Sequence, residues 1–270
     1  MTVALVTGAS SGMGKDIARA LKADGHVVYG AARRVEQMAD LEAEGITALR
    51  MDITVDDDIR SALAEIERAH GGVDVLVNNA GFGLYGPVEE VPISDARYQF
   101  EVNLFGLARL TQLVLPHMRA KRSGTIVNIS SMGGKVYTPL GAWYHATKHA
   151  LEGWSDCLRF ELAPHGIDVV IVEPGAIETE WDSVMREKLV DDYSDGAYAD
   201  LVAATARATA GAYGGSGSPG TVIARVVAKA VRARRPKTRY VAGKYARPMI
   251  LLRRIVSDRM FDRLLRTQYR

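Results

Sequence analysis

Apolar residues in the first 175 positions alternate between short continuous runs and longer stretches with helical spacing. Continuous β-branched runs are typical of strands buried on both faces of a parallel sheet, and helical spacing between them indicates covering helices. The predicted strands are residues 3–7, 27–31, 46–51, 73–78, 124–130 and 167–172. The predicted helices between them are 15–22, 35–44, 56–69, 95–119 and 142–163. This alternation predicts an α/β fold with a doubly wound parallel β-sheet flanked by helices.

The pattern weakens after Pro174. Residues 203–220 are rich in Ala, Gly, Ser and Thr, a composition that disfavours a fixed backbone. Beyond them the pattern predicts a helix, a short strand and one further helix, at 221–233, 239–241 and 248–265. We therefore predict a single main domain over residues 1–245 and a basic, amphipathic C-terminal extension over 246–270.

Composition favours a globular protein of a reducing compartment. The chain is 47% hydrophobic and 24% charged, which suits a folded core and not a disordered chain. A single cysteine, Cys157, is inconsistent with a disulfide framework. The sequence has neither a long apolar run typical of a membrane span nor the features of a signal peptide. We expect a cytoplasmic protein.

The small net charge of +2 conceals an uneven distribution. Residues 225–270 contain 15 basic and 2 acidic residues, whereas the preceding 224 contain 19 basic and 30 acidic ones. Apolar residues between 249 and 265 alternate with arginines at helical spacing. This helix could pack on the main domain or on a partner subunit, or make peripheral contact with an anionic membrane. Because amphipathic helices usually serve packing, we predict no nucleic-acid partner.

A glycine-rich turn separates the first strand from the first helix. Its sequence is Thr7-Gly8-Ala9-Ser10-Ser11-Gly12-Met13-Gly14. Glycines allow a sharp turn and close approach of a ligand, and the N-terminus of a helix favours a pyrophosphate. The spacing differs from a P-loop, and Ile17 replaces the last glycine of the usual dinucleotide fingerprint. A glycine-rich turn without a ligand is the alternative interpretation.

Tyr144 and Lys148 lie four residues apart on a predicted helix and therefore on one face. An unperturbed tyrosine has a pKa of about 10, and a neighbouring ammonium group is expected to lower it. Tyr144 would then be a suitable general acid or base. Two residues on an ordinary solvated face are the alternative. His145 and His149 have metal-ligand spacing, but no third ligand is evident, so we predict no metal site.

Several motifs occur in order at the ends of predicted elements. They are Thr7-Gly8-x-x-x-Gly12-x-Gly14, Asn78-Asn79-Ala80-Gly81, Asn103, Ser130-Ser131, Tyr144-x-x-x-Lys148, and Pro174-Gly175 followed by Thr179. Over roughly residues 1–180 the chain thereby resembles the short-chain dehydrogenases/reductases, in particular their NADP-dependent carbonyl and steroid-type reductases. The resemblance implies a Rossmann-like fold, hydride transfer between a dinucleotide and a carbonyl or secondary alcohol, and a homodimer or homotetramer.

The resemblance also implies roles for individual residues. Tyr144 would be the general acid or base, Ser131 would donate to the substrate oxygen, and Asn103 would hold a water that links Lys148 to solvent. Lys148 would also bond the nicotinamide ribose. The implied cofactor-binding residues are Gly8, Ser10, Ser11, Gly12, Met13, Gly14, Arg33, Arg34, Asp52, Ile53, Asn79, Ala80, Gly81, Tyr144, Lys148, Pro174, Gly175, Ile177 and Thr179. Many of them follow predicted strands, at the edge where ligands bind in open α/β sheets.

The end of the second strand bears on the choice of dinucleotide. A carboxylate there would repel a 2′-phosphate, but the position is Ala31, and Arg33 and Arg34 follow closely. Guanidinium groups suit phosphate recognition, so the sequence favours NADP(H) over NAD(H). A solvated basic pair on a loop is the alternative interpretation.

Residues 180–220 of this chain correspond to the variable substrate loop of the family that the chain resembles. Trp181, Met185, Leu189 and Tyr193 supply apolar surface, which favours a lipophilic carbonyl or alcohol substrate. Ordinary core packing of these residues is the alternative interpretation. For the whole chain, the alternative to an enzyme is a non-catalytic NADP(H)-sensing binding protein.

Overall fold

The computed structural model describes residues 2–213 and 217–269. Its strands are β1 (Val3–Thr7), β2 (Val27–Ala32), β3 (Thr47–Arg50), β4 (Val75–Asn78), β5 (Gly124–Ile129), β6 (Ile167–Pro174), β7 (Ile177–Glu178), β8 (Ser218–Pro219) and β9 (Arg239–Ala242). Seven of them form one parallel sheet in the order β3-β2-β1-β4-β5-β6-β9, and β7 pairs with β8. The predicted doubly wound α/β fold, Rossmann-like and in a single domain, is confirmed.

Helices cover both faces of the sheet. They are α1 (Gly12–Ala23), α2 (Ala39–Ala43), α3 (Asp56–His70), α4 (Ile93–Phe100), α5 (Leu107–Lys121), α6 (Ala142–Leu162), α7 (Glu180–Tyr193), α8 (Ala199–Tyr213), α9 (Thr221–Arg232), α10 (Ala246–Ile255) and α11 (Asp258–Gln268). Successive strand residues point to opposite faces. In β1, Val3 and Leu5 pack beneath α3, α5 and α6, whereas Ala4 and Val6 pack beneath α1 and α9. None of the helices in the described part of the chain is long and apolar enough to cross a bilayer.

The long helix predicted over residues 95–119 is interrupted. A π-helical segment, Glu101–Gly106, joins α4 to α5. The sequence pattern cannot reveal it, because a π-helix adds a residue to the turn without changing the apolar character of the segment. The interruption lies where Asn103 enters the core.

Two predictions for the last third of the chain are wrong. Residues 203–213 belong to α8, because Val202 and Ala204 are buried there and packing overrides the weak local preference. The glycines at 214 and 215 lie outside the described residues. The helix predicted over 248–265 is two helices, because Val256 and Ser257 adopt extended conformations between α10 and α11.

The C-terminal helices pack on the main domain. Phe261 is fully buried, and its ring contacts that of Tyr137 edge-on with centroids 5.1 Å apart. The Tyr137 hydroxyl donates to Asp262 Oδ1 at 2.7 Å. Leu265 packs with Val136 in the same cluster. The sequence left open whether this extension packs on the main domain, on a partner subunit or on a membrane. Its inner face packs on the main domain.

Candidate active site

A cleft with a volume of about 480 Å³ runs along the carboxyl ends of the central strands. Ser131, Tyr144 and Lys148 line it. So does every residue to which the sequence assigned cofactor binding, from the glycine turn to Thr179. Residues far apart in sequence meet here because parallel strands end at the same edge of the sheet.

The glycine turn is held in place by the end of β4. Gly8 has a φ of +66°, a conformation that favours glycine, and a Cβ on Gly14 would lie 2.2 Å from the Gly8 carbonyl oxygen. The Asn79 amide donates to the Thr7 carbonyl at 2.9 Å, and the Thr7 hydroxyl accepts from the backbone N–H groups of Asn79 and Ala80. The side chain of Ser11, which precedes α1, does not cap the helix. The N–H groups of the first turn are thus not covered by that side chain, and the cradle fits a dinucleotide pyrophosphate.

Tyr144 is buried in the wall of the cleft between two aromatic rings. Its ring centroid lies 5.9 Å from that of Tyr85 and 5.2 Å from that of Trp181. Burial raises the pKa of Tyr144 to about 12, and a hydrogen bond with the Ser131 side chain opposes the rise. The expectation of a lowered tyrosine pKa is therefore wrong for this structure, because desolvation outweighs any favourable interaction with the neighbouring ammonium group.

Lys148 lies on the same face of α6, one turn after Tyr144. Its Nζ donates to the Ile129 carbonyl at 2.9 Å and lies 6.0 Å from the centroid of the Tyr144 ring. Burial lowers the pKa of Lys148 to about 8, and the negative charge of Glu152 opposes this effect. The ammonium group is thus held in the floor of the cleft by a strand-end carbonyl.

Ser131 follows β5 and begins a short 3₁₀ turn, Met132–Gly134. Its hydroxyl accepts from the Gly133 N–H at 3.0 Å, which orients the side chain towards Tyr144. The neighbouring Ser130 is buried, and its hydroxyl has no partner in the described part of the chain. Of the two serines, Ser131 is the one that bonds the phenol.

Asn103 lies behind the cleft wall, within the π-helical segment. Its Oδ1 accepts from the Phe82 N–H at 3.0 Å, and its Nδ2 donates to the Phe82 carbonyl at 2.9 Å. Nδ2 also donates to the Thr147 hydroxyl at 3.1 Å. These bonds join the loop after β4 to α6, so Asn103 connects two parts of the cleft wall.

The adenosine end of the cleft carries the predicted arginines. Ala31 and Ala32 end β2 without a carboxylate, and Arg33 and Arg34 follow, both exposed. The Arg33 guanidinium donates to the Tyr98 hydroxyl at 2.9 Å, which directs it across the cleft mouth. This geometry fits a 2′-phosphate better than a bare ribose, because no acidic side chain stands at the strand end.

The histidine pair is engaged in hydrogen bonds. His145 Nδ1 donates to the Gly133 carbonyl at 2.9 Å, and its Nε2 accepts from the Thr138 N–H at 3.0 Å. Burial lowers the pKa of His145 to about 4, so the ring is neutral at physiological pH. Over the described ranges, 2–213 and 217–269, no group of three or more His, Cys, Asp or Glu side chains could hold a metal ion.

The apolar residues predicted to contact the substrate lie in two different places. Trp181 and Met185 line the cleft, whereas Leu189 and Tyr193 pack with Leu84 in a separate core cluster. The sequence analysis missed several further residues that line the cleft: Phe82, Tyr98, Val102, Glu180, Val184 and Lys188. Val184 and Lys188 follow Trp181 on α7 at helical spacing, a signal that was present in the sequence. Tyr98 had none, because its position depends on how α4 packs.

The chain is similar in sequence to a family of dehydrogenases and to individual reductases. The family model for short chain dehydrogenases matches residues 2–190. The NADPH-dependent 3-dehydrocapnine reductase of Ornithobacterium rhinotracheale is 35% identical over 274 residues and covers 98% of this chain and 96% of that protein. The 3-ketodihydrosphingosine reductase of Bacteroides thetaiotaomicron is 40% identical over 180 residues, which are 66% of this chain and 64% of that protein.

Solved structures agree with this relationship. A short-chain dehydrogenase from Streptomyces avermitilis has a TM-score of 0.81 and 37% identity, and covers 93% of this chain and 91% of its own. Actinorhodin polyketide ketoreductase, solved with NADPH, has a TM-score of 0.72 and 36% identity, and covers 84% of this chain and 89% of its own. The chain therefore belongs to the short-chain dehydrogenases/reductases, oxidoreductases that act on CH–OH and C=O groups of small molecules.

Proposed function

We propose that this enzyme is an NADP(H)-dependent carbonyl reductase that interconverts a lipophilic ketone and its secondary alcohol. The observation that carries the proposal is the buried phenol of Tyr144, which is hydrogen-bonded to Ser131 in an aromatic-walled cleft beside the glycine turn. The family relationship favours an enzyme over the NADP(H)-sensing binding protein considered from the sequence.

Tyr144 and Ser131 have complementary parts in the proposed reaction. With a pKa of about 12, Tyr144 carries its proton at neutral pH and can donate it to a carbonyl oxygen during reduction. The Ser131 hydroxyl would donate to the same oxygen and stabilise the negative charge that develops there. In alcohol oxidation, Tyr144 would take the proton back. The bound dinucleotide would supply or accept the hydride.

Lys148 and Asn103 would support this proton transfer. Lys148 would bond the nicotinamide ribose and, when charged, favour loss of the tyrosine proton. We retain the proposal that Asn103 helps to hold a water near Lys148. Asn103 and Lys148 both lie close to Gly81, since a Cβ added there would be 3.1 Å from Asn103 Oδ1 and 3.8 Å from Lys148 Nζ. Both groups thus border the same small space, which supports this proposal.

Three observations support NADP(H) as the cofactor. Ala31 and Ala32 leave the end of β2 without a carboxylate, and Arg33 reaches across the cleft mouth to Tyr98. The relative from Ornithobacterium rhinotracheale is NADPH-dependent by name, and the actinorhodin ketoreductase was solved with NADPH. Cofactor binding by the remaining predicted residues, from Gly8 to Thr179, is part of the same proposal.

A lipophilic ketone suits the substrate end of the cleft. Tyr85 and Trp181 flank Tyr144, and Met185 and Val184 extend the wall along α7. By name, one of the two relatives reduces 3-ketodihydrosphingosine and the other 3-dehydrocapnine.

Replacing Tyr144 tests the function directly. Tyr144→Phe removes only the hydroxyl, so ketone reduction should fall by about 10²- to 10⁴-fold while NADPH still binds. Turnover is measured by NADPH consumption over a panel of lipophilic ketones, and binding by quenching of tryptophan fluorescence. Tyr240→Phe, a matched change on β9 outside the cleft, should keep wild-type activity. Near-normal turnover by Tyr144→Phe would refute the proton-transfer role.

Assembly and location complete the proposal. We propose a cytoplasmic homodimer or homotetramer, with residues 1–245 as the catalytic domain and 246–270 as an extension whose outer face makes peripheral contact with anionic lipid. Exposed Phe105 and Phe160 support self-association. Analytical ultracentrifugation that finds only a monomer at micromolar concentration would reject the assembly proposal.

A further inference from the structure

A second cavity lies next to the catalytic cleft. Its volume is about 350 Å³, which lies within the range of about 300–1,000 Å³ found for small-molecule pockets. Helix α8 and the C-terminal helices α10 and α11 supply most of its wall. Their lining residues include Thr205, Ala208, Thr209, Met249, Leu265 and Gln268, and Tyr269 follows α11 in the same wall.

The second cavity and the catalytic cleft share a wall residue, and further residues of the second cavity lie next to the reacting centre. Met185 lines both cavities. Met132 directly follows Ser131, and Tyr85 lies against the ring of Tyr144. Methionine side chains are unbranched and adapt their shape to a neighbouring ligand. A chain attached to a carbonyl carbon beside Tyr144 thus has a short route past Met185 into the second cavity.

The chemistry of the cavity wall fits an uncharged, apolar occupant. None of its lining residues in the described ranges carries a charge: half are methionine, alanine, leucine or glycine, and the other half are threonine, tyrosine or glutamine. The Thr205 hydroxyl is buried in the wall without a hydrogen-bond partner among the described residues. A phosphate or carboxylate would be desolvated in this cavity without a counter-charge, whereas an alkyl chain would lose only its contact with water.

The C-terminal wall is fixed to the loop that carries Ser131. Phe261 is fully buried against Tyr137, and the Tyr269 side chain hydrogen-bonds that of Thr138. The loop and the helices thus form one packed unit. The cavity is therefore a defined chamber rather than a gap beneath a loose terminus.

We propose that this chamber, bounded by α8, α10 and α11, binds the alkyl tail of a long-chain ketone whose carbonyl group lies at Tyr144. The proposal rests on the proposed function and specifies its substrate class. It assigns the C-terminal extension a part in substrate selection. Each CH₂ group that enters the chamber should raise kcat/KM about three- to fourfold, until the chamber is full.

A series of straight-chain 2-alkanones from 2-butanone to 2-decanone tests the proposal. In the wild type, kcat/KM should rise with chain length. Ala208→Phe fills the chamber, so it should lower kcat/KM for 2-decanone at least tenfold and leave 2-butanone within twofold. Ala203→Phe is the matched control, because Ala203 lies on the exposed side of the same helix. A wild type that is indifferent to chain length, or a gain that survives in Ala208→Phe, would overturn the proposal.

Equilibrium binding separates this proposal from the proposed function. If no ketone is turned over, the proposed function fails. The chamber is then tested by the binding of 2-decanone, measured by tryptophan fluorescence. The chamber is supported if the wild type and Ala203→Phe both bind 2-decanone and Ala208→Phe binds it at least tenfold more weakly. Equal binding by all three proteins, or none, overturns it.

Thr205→Val provides a second variant that keeps the size of the side chain. It removes the unpartnered hydroxyl, so 2-decanone should bind as tightly as in the wild type or up to several-fold more tightly. Binding of 2-butanone should not change. A tenfold loss of 2-decanone binding would show that the chamber recognises a polar group, and would overturn the assignment to an alkyl tail.

Discussion

Burial sets the protonation states of the ionisable side chains at the reacting centre. Tyr144 and Lys148 lie on one face of α6, yet desolvation shifts their pKa values in opposite directions, to about 12 and about 8. Both shifts disfavour the charged form. At neutral pH the phenol keeps its proton, which suits carbonyl reduction. The reverse reaction, alcohol oxidation, would require the deprotonated phenol.

At the scale of a single residue, we expect Arg33 to determine the preference between NADPH and NADH. Arg33→Ala removes the guanidinium beside the cleft mouth, and a charge-assisted hydrogen bond contributes about 1.5–3 kcal/mol. The KM for NADPH should therefore rise about 10- to 100-fold, while the KM for NADH stays within threefold. Steady-state kinetics with both cofactors measures the effect. Arg50→Ala, another exposed arginine of the same sheet edge, should change neither value. Equal losses for NADPH and NADH in Arg33→Ala would reject the phosphate assignment.

At the scale of elements, α6 holds the loop after β5 through a histidine. The neutral His145 ring donates to the Gly133 carbonyl and accepts from the Thr138 N–H. Protonation of Nε2 would break the bond from the Thr138 N–H, and burial also disfavours the charged ring, so the neutral form is the more stable one in the fold. This contact joins the helix that carries Tyr144 to the loop that carries Ser131.

The free energy of unfolding should consequently fall in mild acid. The folded pKa of His145 is about 4, below its ordinary value of 6.5, so the unfolded chain binds the proton first as the pH falls. Between pH 7 and pH 5 this linkage should cost about 2 kcal/mol. Urea unfolding at both pH values measures it. His145→Gln has no titrating ring, and its stability should fall by about 2 kcal/mol less over the same interval. Equal acid sensitivity of the two proteins would contradict the assignment.

At the scale of the whole molecule, the charge is distributed unevenly and the basic end carries exposed apolar side chains. On α10 and α11, Leu251, Ile255 and Met260 are 59%, 72% and 50% exposed. The exposed arginines of the same helices include Arg254, Arg259 and Arg263. Basic and apolar groups on one surface are typical of contact with an anionic bilayer. Such contact would bring the alkyl-tail chamber close to a source of lipophilic substrate.

Vesicle sedimentation tests the lipid proposal. The protein should sediment with vesicles that contain phosphatidylserine and not with pure phosphatidylcholine, and salt should weaken the binding. The double variant Arg259→Glu/Arg263→Glu should lower the partition coefficient at least tenfold, because each basic residue near the surface contributes about 1 kcal/mol. Arg119→Glu, on α5, is the control and should bind as the wild type does. Equal sedimentation with both vesicle types, or with neither, would exclude the anionic-lipid contact.

Much of the fold and the cleft was predictable because it depends on local sequence pattern. The six predicted strands occur within two residues of their predicted bounds, since continuous apolar runs identify strands covered on both faces. The glycine turn, Asn79, Ser131, Tyr144 and Lys148 meet in one cleft because each follows a strand end or lies on one helix face. Their proximity follows from chain order alone, once the sheet is parallel.

Packing decided the features that the sequence left open. The local pattern around Tyr144 does not reveal how deeply its phenol is buried, yet this burial sets the direction of its pKa shift. Nor does the pattern of 246–270 reveal the break at Val256 or the position of Phe261 against Tyr137. The chamber proposed for the alkyl tail lies between α8 and the C-terminal helices α10 and α11, which follow it only later in the sequence. Sequence pattern records which faces are apolar, whereas solvent exclusion and cavity shape depend on how those faces meet in three dimensions.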